Sequence, residues 1–121
     1  MRVGIDLLEI KRITSWADKS SIISRIYSKG EQTIIEAYNG KRRSEFMAGR
    51  MAVKEAVIKA LGIELDQFRL SDIETLSLSN GMPLLVLHGE LNEYVLLLGI
   101  REYSVSISHN GGYVIAIVIM N

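Results

Sequence analysis

Val3, Ile5 and Leu7 alternate with Gly4, Asp6 and Leu8. That is the two-residue period of a β-strand, and it puts Asp6 on one face with Gly4 and Leu8. The period then lengthens. Ile10, Ile13, Trp16 and Ala17 recur at helical spacing, and Ile22, Ile23 and Ile26 resume it after a break over residues 18–21. Ser28 followed by Glu31 fits a capping box and predicts a helix towards Tyr38, ended by Asn39-Gly40. The longest helix is predicted over 45–61, with Ser44 as its cap and Gly62 at its end. Its apolar positions Phe46, Val53, Val57 and Leu61 step round one face, so it packs against the body.

The second half reads mostly as strands. Segments 73–78 and 84–88 flank Ser79-Asn80-Gly81-Met82-Pro83, a turn rich in breakers. Segment 90–98, ended by Gly99, suits a helix, although its leucines would also suit a strand. Alternation over 103–108 points Val105 and Ile107 inward. Asn110-Gly111-Gly112 then turns the chain into 113–120, a strand apolar on both faces. Such a strand calls for cover by a helix, a partner subunit, or both. The expected fold is one α+β domain over residues 1–121, with an antiparallel sheet packed against the long helix.

Composition narrows the function classes. The 121 residues carry 14 Lys+Arg and 14 Asp+Glu, so the formal charge is zero, and aromatic residues make up 7%. Both count against a nucleic-acid-binding domain. No apolar run approaches the length of a membrane span, and Asp6 interrupts the start before a signal-peptide core could form. With no cysteine, disulfides and thiolate metal sites are excluded, which fits a cytoplasmic setting. Lys41-Arg42-Arg43 is the one tight basic cluster, expected in a loop before the long helix.

Two carboxylates carry candidate chemistry. Asp6 alone could be an exposed strand position or a helix cap, and Glu55 alone could be the partner of Lys59 in an i,i+4 ion pair. If the first strand lies beside the long helix, however, the two acids can converge on one hard cation. They would leave most of an octahedral Mg²⁺ shell to water and substrate phosphates. At about 100° per residue, Lys59 faces the same region as Glu55, while Lys54 points away into a solvated or packing role. His109 stands at the mouth of the last hairpin, just before two glycines that allow close backbone approach.

Three stretches resemble a known family. They are Gly4-Ile5-Asp6-Leu7-Leu8-Glu9-Ile10-Lys11-Arg12-Ile13, the run from Glu45 through Lys54-Glu55-Ala56-Val57-Ile58-Lys59 to Gly62, and Val105-Ser106-Ile107-Ser108-His109 with its apolar final strand. In order and span they are similar to holo-[acyl-carrier-protein] synthase, the small single-domain type of 4′-phosphopantetheinyl transferase. The resemblance implies Mg²⁺-dependent transfer of 4′-phosphopantetheine from coenzyme A to a serine of an apo acyl carrier protein, in the service of fatty-acid biosynthesis. It implies that Asp6 and Glu55 hold the metal and, with Lys59, form the catalytic group, with Lys59 near the pyrophosphate. Lys41, Arg42 and His109 would meet the nucleotide end of coenzyme A, and Arg12 and Arg25 would dock the carrier. A homotrimer with active sites between subunits is also implied. Arg2, the run Gly62-Ile63-Glu64-Leu65-Asp66 and Asn110 depart from the family pattern.

Overall fold

A computed structural model of the chain describes residues 1–121. Its elements run β1 (Arg2–Glu9), α1 (Lys11–Thr14), α2 (Ser20–Ile26), α3 (Lys29–Ala37), α4 (Gly40–Leu61), β2 (Ile73–Ser77), β3 (Pro83–Leu87), α5 (Gly89–Leu97), β4 (Tyr103–Asn110) and β5 (Tyr113–Met120). Every strand pairing is antiparallel. One sheet has the order β1-β5-β4, and β2-β3 form a separate hairpin. Helix α4 lies across the inner face of the larger sheet, which gives the α+β arrangement expected.

Local chemistry explains where the elements start and stop. The capping box at α3 is complete: Ser28 Oγ accepts from Glu31 N, and the Glu31 side chain accepts from Ser28 N. Helix α4 ends at Gly62, which adopts the left-handed conformation (φ 67°) that releases the chain. Arg2 reinforces that end by donating to the carbonyls of Ala60 and Leu61, each at 3.4 Å. This gives one of the departures from the family pattern a physical role.

One expectation needs correction. Helix α4 begins at Gly40, not after Ser44, so Lys41-Arg42-Arg43 belongs to its first turn rather than to a preceding loop. Asn39-Gly40 thus ends one helix and opens the next, with Gly40 taking φ 56° at the junction. The break expected in the first helical region is present, over residues 15–19, and it leaves two short helices, α1 and α2, so Arg12 and Arg25 stand on separate elements. The segment before Gly99 is a helix, as expected, and the strand alternative does not form.

The larger sheet has two unlike faces. Leu8, Val114, Ala116, Val118 and Met120 are buried in one continuous apolar cluster with the Ala48, Ala52, Ala56 and Ala60 row of α4. The opposite face carries Val3, Ile5, Leu7, Ile115 and Ile117, all exposed. The helix therefore covers one face of the final strand, and the other stays open in a single chain. No helix is long and apolar enough to cross a membrane.

Candidate active site

Small side chains let β1 and α4 approach closely. A Cβ placed on Gly4 would stand 1.8 Å from the Ala56 carbonyl oxygen, so only glycine fits there. The same approach brings Asp6, two residues on, to the face of α4 that carries Glu55 and Lys59. Lys59 Nζ donates to Asp6 Oδ1 at 3.1 Å. The Asp6 charge lies near enough to act on the Glu55 carboxyl. Burial, then the neighbouring Asp6 carboxylate, push the Glu55 carboxyl up to about 7, while Arg12 and Lys59 pull the other way. The structure therefore joins Asp6, Glu55 and Lys59, and it brings Arg12 to the edge of the same cluster.

These residues fit a divalent cation. Asp6 is 7% exposed, and its Oδ2 is buried without a hydrogen-bond partner. An unused carboxylate lone pair beside a second, electrostatically strained carboxyl is the donor set a hard cation takes. No third histidine or acidic residue completes a cluster of metal-binding groups. The other coordination positions would then fall to water and substrate oxygens, as in Mg²⁺ sites that bind phosphates.

A groove of about 320 Å³ adjoins the pair, lined by Leu8, Arg12, Ile13, Trp16, Met51 and Glu55 among others. It puts an apolar wall beside the carboxylates. Arg25, on α2, is exposed and does not line that groove.

The other predicted residues gather elsewhere. Lys41 and Arg42 project from the first turn of α4, and His109 is the last residue but one of β4. Glu45 lies between them, 3.8 Å from both Lys41 Nζ and His109 Nδ1. Arg42 stacks on Tyr38, 4.1 Å from the ring centre, and donates to its hydroxyl at 3.1 Å. A helix start favours acids by its dipole, so the three cations of the first turn are offset by carboxylates, Lys41 by Glu45 and Arg43 by Asp18 at 3.4 Å, while Arg42 has only the Tyr38 ring and hydroxyl.

Sequence reasoning gave Arg50 no role at this end. It lies over the Phe46 ring at 4.2 Å and donates to Ser77 Oγ at 3.0 Å. Its Nε is buried without a partner. With Arg42, His109, Gly49 and Pro83 it lines a groove of about 290 Å³. The one available signal was the spacing Arg42, Phe46, Arg50, which is i, i+4, i+8 on one helix face.

Lys54 is fully buried and ion-paired with Glu31, so of its two expected roles the structure selects packing. His88 pairs with Glu74 at 3.0 Å, away from both clusters.

Residues 2–118 match the family model of the 4′-phosphopantetheinyl transferase superfamily. A holo-[acyl-carrier-protein] synthase of Clostridium kluyveri is 40% identical over 119 residues, 98% of this chain and 87% of the relative. One from Dehalococcoides mccartyi is 38% identical over 120 residues, 96% and 94% of the two chains. Among solved structures, the Bacillus anthracis holo-(acyl-carrier-protein) synthase in complex with CoA (3′,5′-ADP) superposes with a TM-score of 0.81. It shares 31% identity over 98% of this chain and 94% of that one. The Helicobacter pylori enzyme in complex with coenzyme A gives 0.84, with 30% identity over 98% and 99%.

Proposed function

Because this chain belongs to the 4′-phosphopantetheinyl transferase superfamily, as an enzyme of the holo-[acyl-carrier-protein] synthase type, we propose that Asp6, Glu55 and Lys59 carry its Mg²⁺-dependent transfer. Phosphopantetheine passes from coenzyme A to a serine of an apo acyl carrier protein. The products are the holo carrier and adenosine 3′,5′-bisphosphate. The observation that carries this reading is the meeting of Asp6 and Glu55 across β1 and α4, with the Asp6 Oδ2 lone pair unused.

Asp6 and Glu55 would hold Mg²⁺, which when bound would neutralise charge at the phosphate oxygens and favour departure of the leaving group. The chain's own residues do the rest. Asp6 holds the Lys59 ammonium beside the carboxylates, where it meets the negative charge that develops on the leaving phosphate. The serine hydroxyl attacks the β-phosphorus. A new O–P bond forms, the bond from that phosphorus to the bridging oxygen breaks, and the bridging oxygen leaves with the nucleotide. The serine proton passes to Glu55, directly or through one water. The enzyme forms no covalent bond itself.

At the other end of coenzyme A, Lys41, Arg42 and His109 suit the charged nucleotide, with Arg50 beneath them. Arg42 and Glu55 are separated by about 20 Å along the α4 axis. That exceeds the span from the β-phosphate of one coenzyme A to its adenine or ribose phosphate. The separation favours a site shared between copies, with the metal pair from one and the nucleotide-end cations from its neighbour. The open apolar face of the larger sheet supports the same assembly, a homotrimer as the family likeness implies. Fatty-acid synthesis in the cytoplasm is the setting that likeness suggests.

Incubation with coenzyme A, Mg²⁺ and a panel of apo carrier proteins, read by intact mass, tests the function. A gain of one phosphopantetheine on the carrier supports it. Coenzyme A binding without transfer across the panel would make the protein a sensor.

Arg12 and Arg25 are the proposed carrier contacts. Arg12 sits at the rim of the Glu55 groove, so an acidic carrier helix seated there would deliver its serine next to the carboxylates. Arg12→Glu is expected to raise the KM for the carrier about tenfold at low salt, with the effect shrinking as salt rises. An unchanged KM at low salt would remove Arg12 from the docking face.

A further inference from the structure

Lys54 comes one residue before Glu55, about 100° round the same helix. Its ammonium is fully buried and its three donors are all used. They go to Glu31 Oε1 at 2.7 Å, to the Leu70 carbonyl at 3.1 Å and to the Ile73 carbonyl. Glu31, also fully buried, accepts further bonds from Ser28 N and Thr75 N, each at 2.9 Å. One polar point thus ties α4 to the start of α3 and to the start of β2. Neither side chain lines the groove beside Glu55 or the one at the nucleotide end, so substrate does not explain the pair.

Stability does not explain it well either. Replacing a buried ion pair with apolar residues of similar volume often leaves stability unchanged or raised. The rest of the α4 interface shows what the pair adds. Its row of Ala48, Ala52, Ala56 and Ala60 is smooth, and apolar burial has no direction. Such a surface sets how near the helix comes to the sheet, and its rotation falls to the polar ties, of which Tyr27 to the Met47 carbonyl, Arg50 to Ser77 and Lys59 to Asp6 are each single bonds. The Lys54–Glu31 pair, buried and charged with five directed hydrogen bonds, is the most heavily bonded of these ties.

We propose that Lys54 and Glu31 are positioning residues for the transfer reaction: their buried pair fixes the rotation of α4 so that Glu55 meets Asp6. This rests on the reading of Asp6 and Glu55 as the metal pair. A rotation of a few tens of degrees would carry the Glu55 carboxyl away from Asp6 while leaving the alanine row against the sheet.

The test is the double variant Glu31→Gln/Lys54→Met in the full chain. Thermal unfolding is measured, with Mn²⁺ affinity in the absence of coenzyme A and steady-state kinetics alongside. The expected result is a folded protein whose Mn²⁺ affinity and kcat each fall about tenfold or more, with the carrier KM within twofold of the parent. Val53→Ala, a cavity-forming change on the same helix, serves as a control for lost stability and should keep both values within about threefold. If the double variant does not fold, Glu31→Gln alone is read in the same way, since it removes the charge and keeps an acceptor. A folded variant with parental Mn²⁺ affinity and kcat would overturn the proposal, as would equal losses in Val53→Ala. Asp6→Ala separates the two readings. If it leaves Mn²⁺ affinity unchanged, the metal assignment itself has failed, and the positioning role falls with it.

Discussion

Asp6→Ala is expected to lower transfer about 10³-fold while leaving the domain folded. Three consequences act together. The orphaned oxygen at Oδ2 disappears, Lys59 loses the partner that holds it 3.1 Å away, and Glu55 stands alone. Stability should move the other way or hardly at all. In the metal-free protein Asp6 is a nearly buried acid with an unpaired oxygen, pressed against a second acid. Removing it relieves a cost that the fold carries for function. Turnover by intact mass of the carrier and thermal unfolding of the same sample check both halves. Full activity in a folded variant at ordinary Mg²⁺ would refute the metal assignment.

Gly4→Ala should damage both stability and turnover through one methyl group. The added carbon would lie 1.8 Å from the Ala56 carbonyl oxygen and 2.8 Å from Ala60 N. Both obstacles are backbone, so no side chain can swing aside; β1 and α4 must move apart. Overpacking of this kind costs about 1–3 kcal/mol and sometimes more. A shift of about 1 Å between Asp6 and Glu55 is enough to reduce turnover about 10²-fold. Denaturant unfolding and kcat report the two effects separately. An unchanged midpoint would mean that the strand and helix have more room than this contact allows.

The sequence made some of this legible and hid the rest for physical reasons. The Ser28–Glu31 capping box and the Gly62 stop are local signals, and both appear as expected. The start of α4 was obscured because Asn39-Gly40 looks like a terminus whether or not another helix follows at once. Alternation marked β1 as a strand, yet period alone does not say which face is inside. The buried face is Gly4, Asp6 and Leu8, because α4 comes too near for larger side chains. Asp6 and Glu55 were paired by helix geometry and family likeness, and their meeting is long-range. The Lys54–Glu31 pair, 23 residues apart, had no local signature at all, since a lysine in a helix ordinarily points to water. Arg50 was likewise visible only as one cation in a helical row.

If the open face of the three-stranded sheet seats the neighbouring copies proposed above, the protein's thermodynamics depend on how much of it is present. Val3, Ile5, Leu7, Ile115 and Ile117 remain wet in an isolated chain. Association that dries them draws the folding equilibrium by mass action. The melting temperature should therefore climb with protein concentration, and specific activity should fade on dilution even with every substrate saturating.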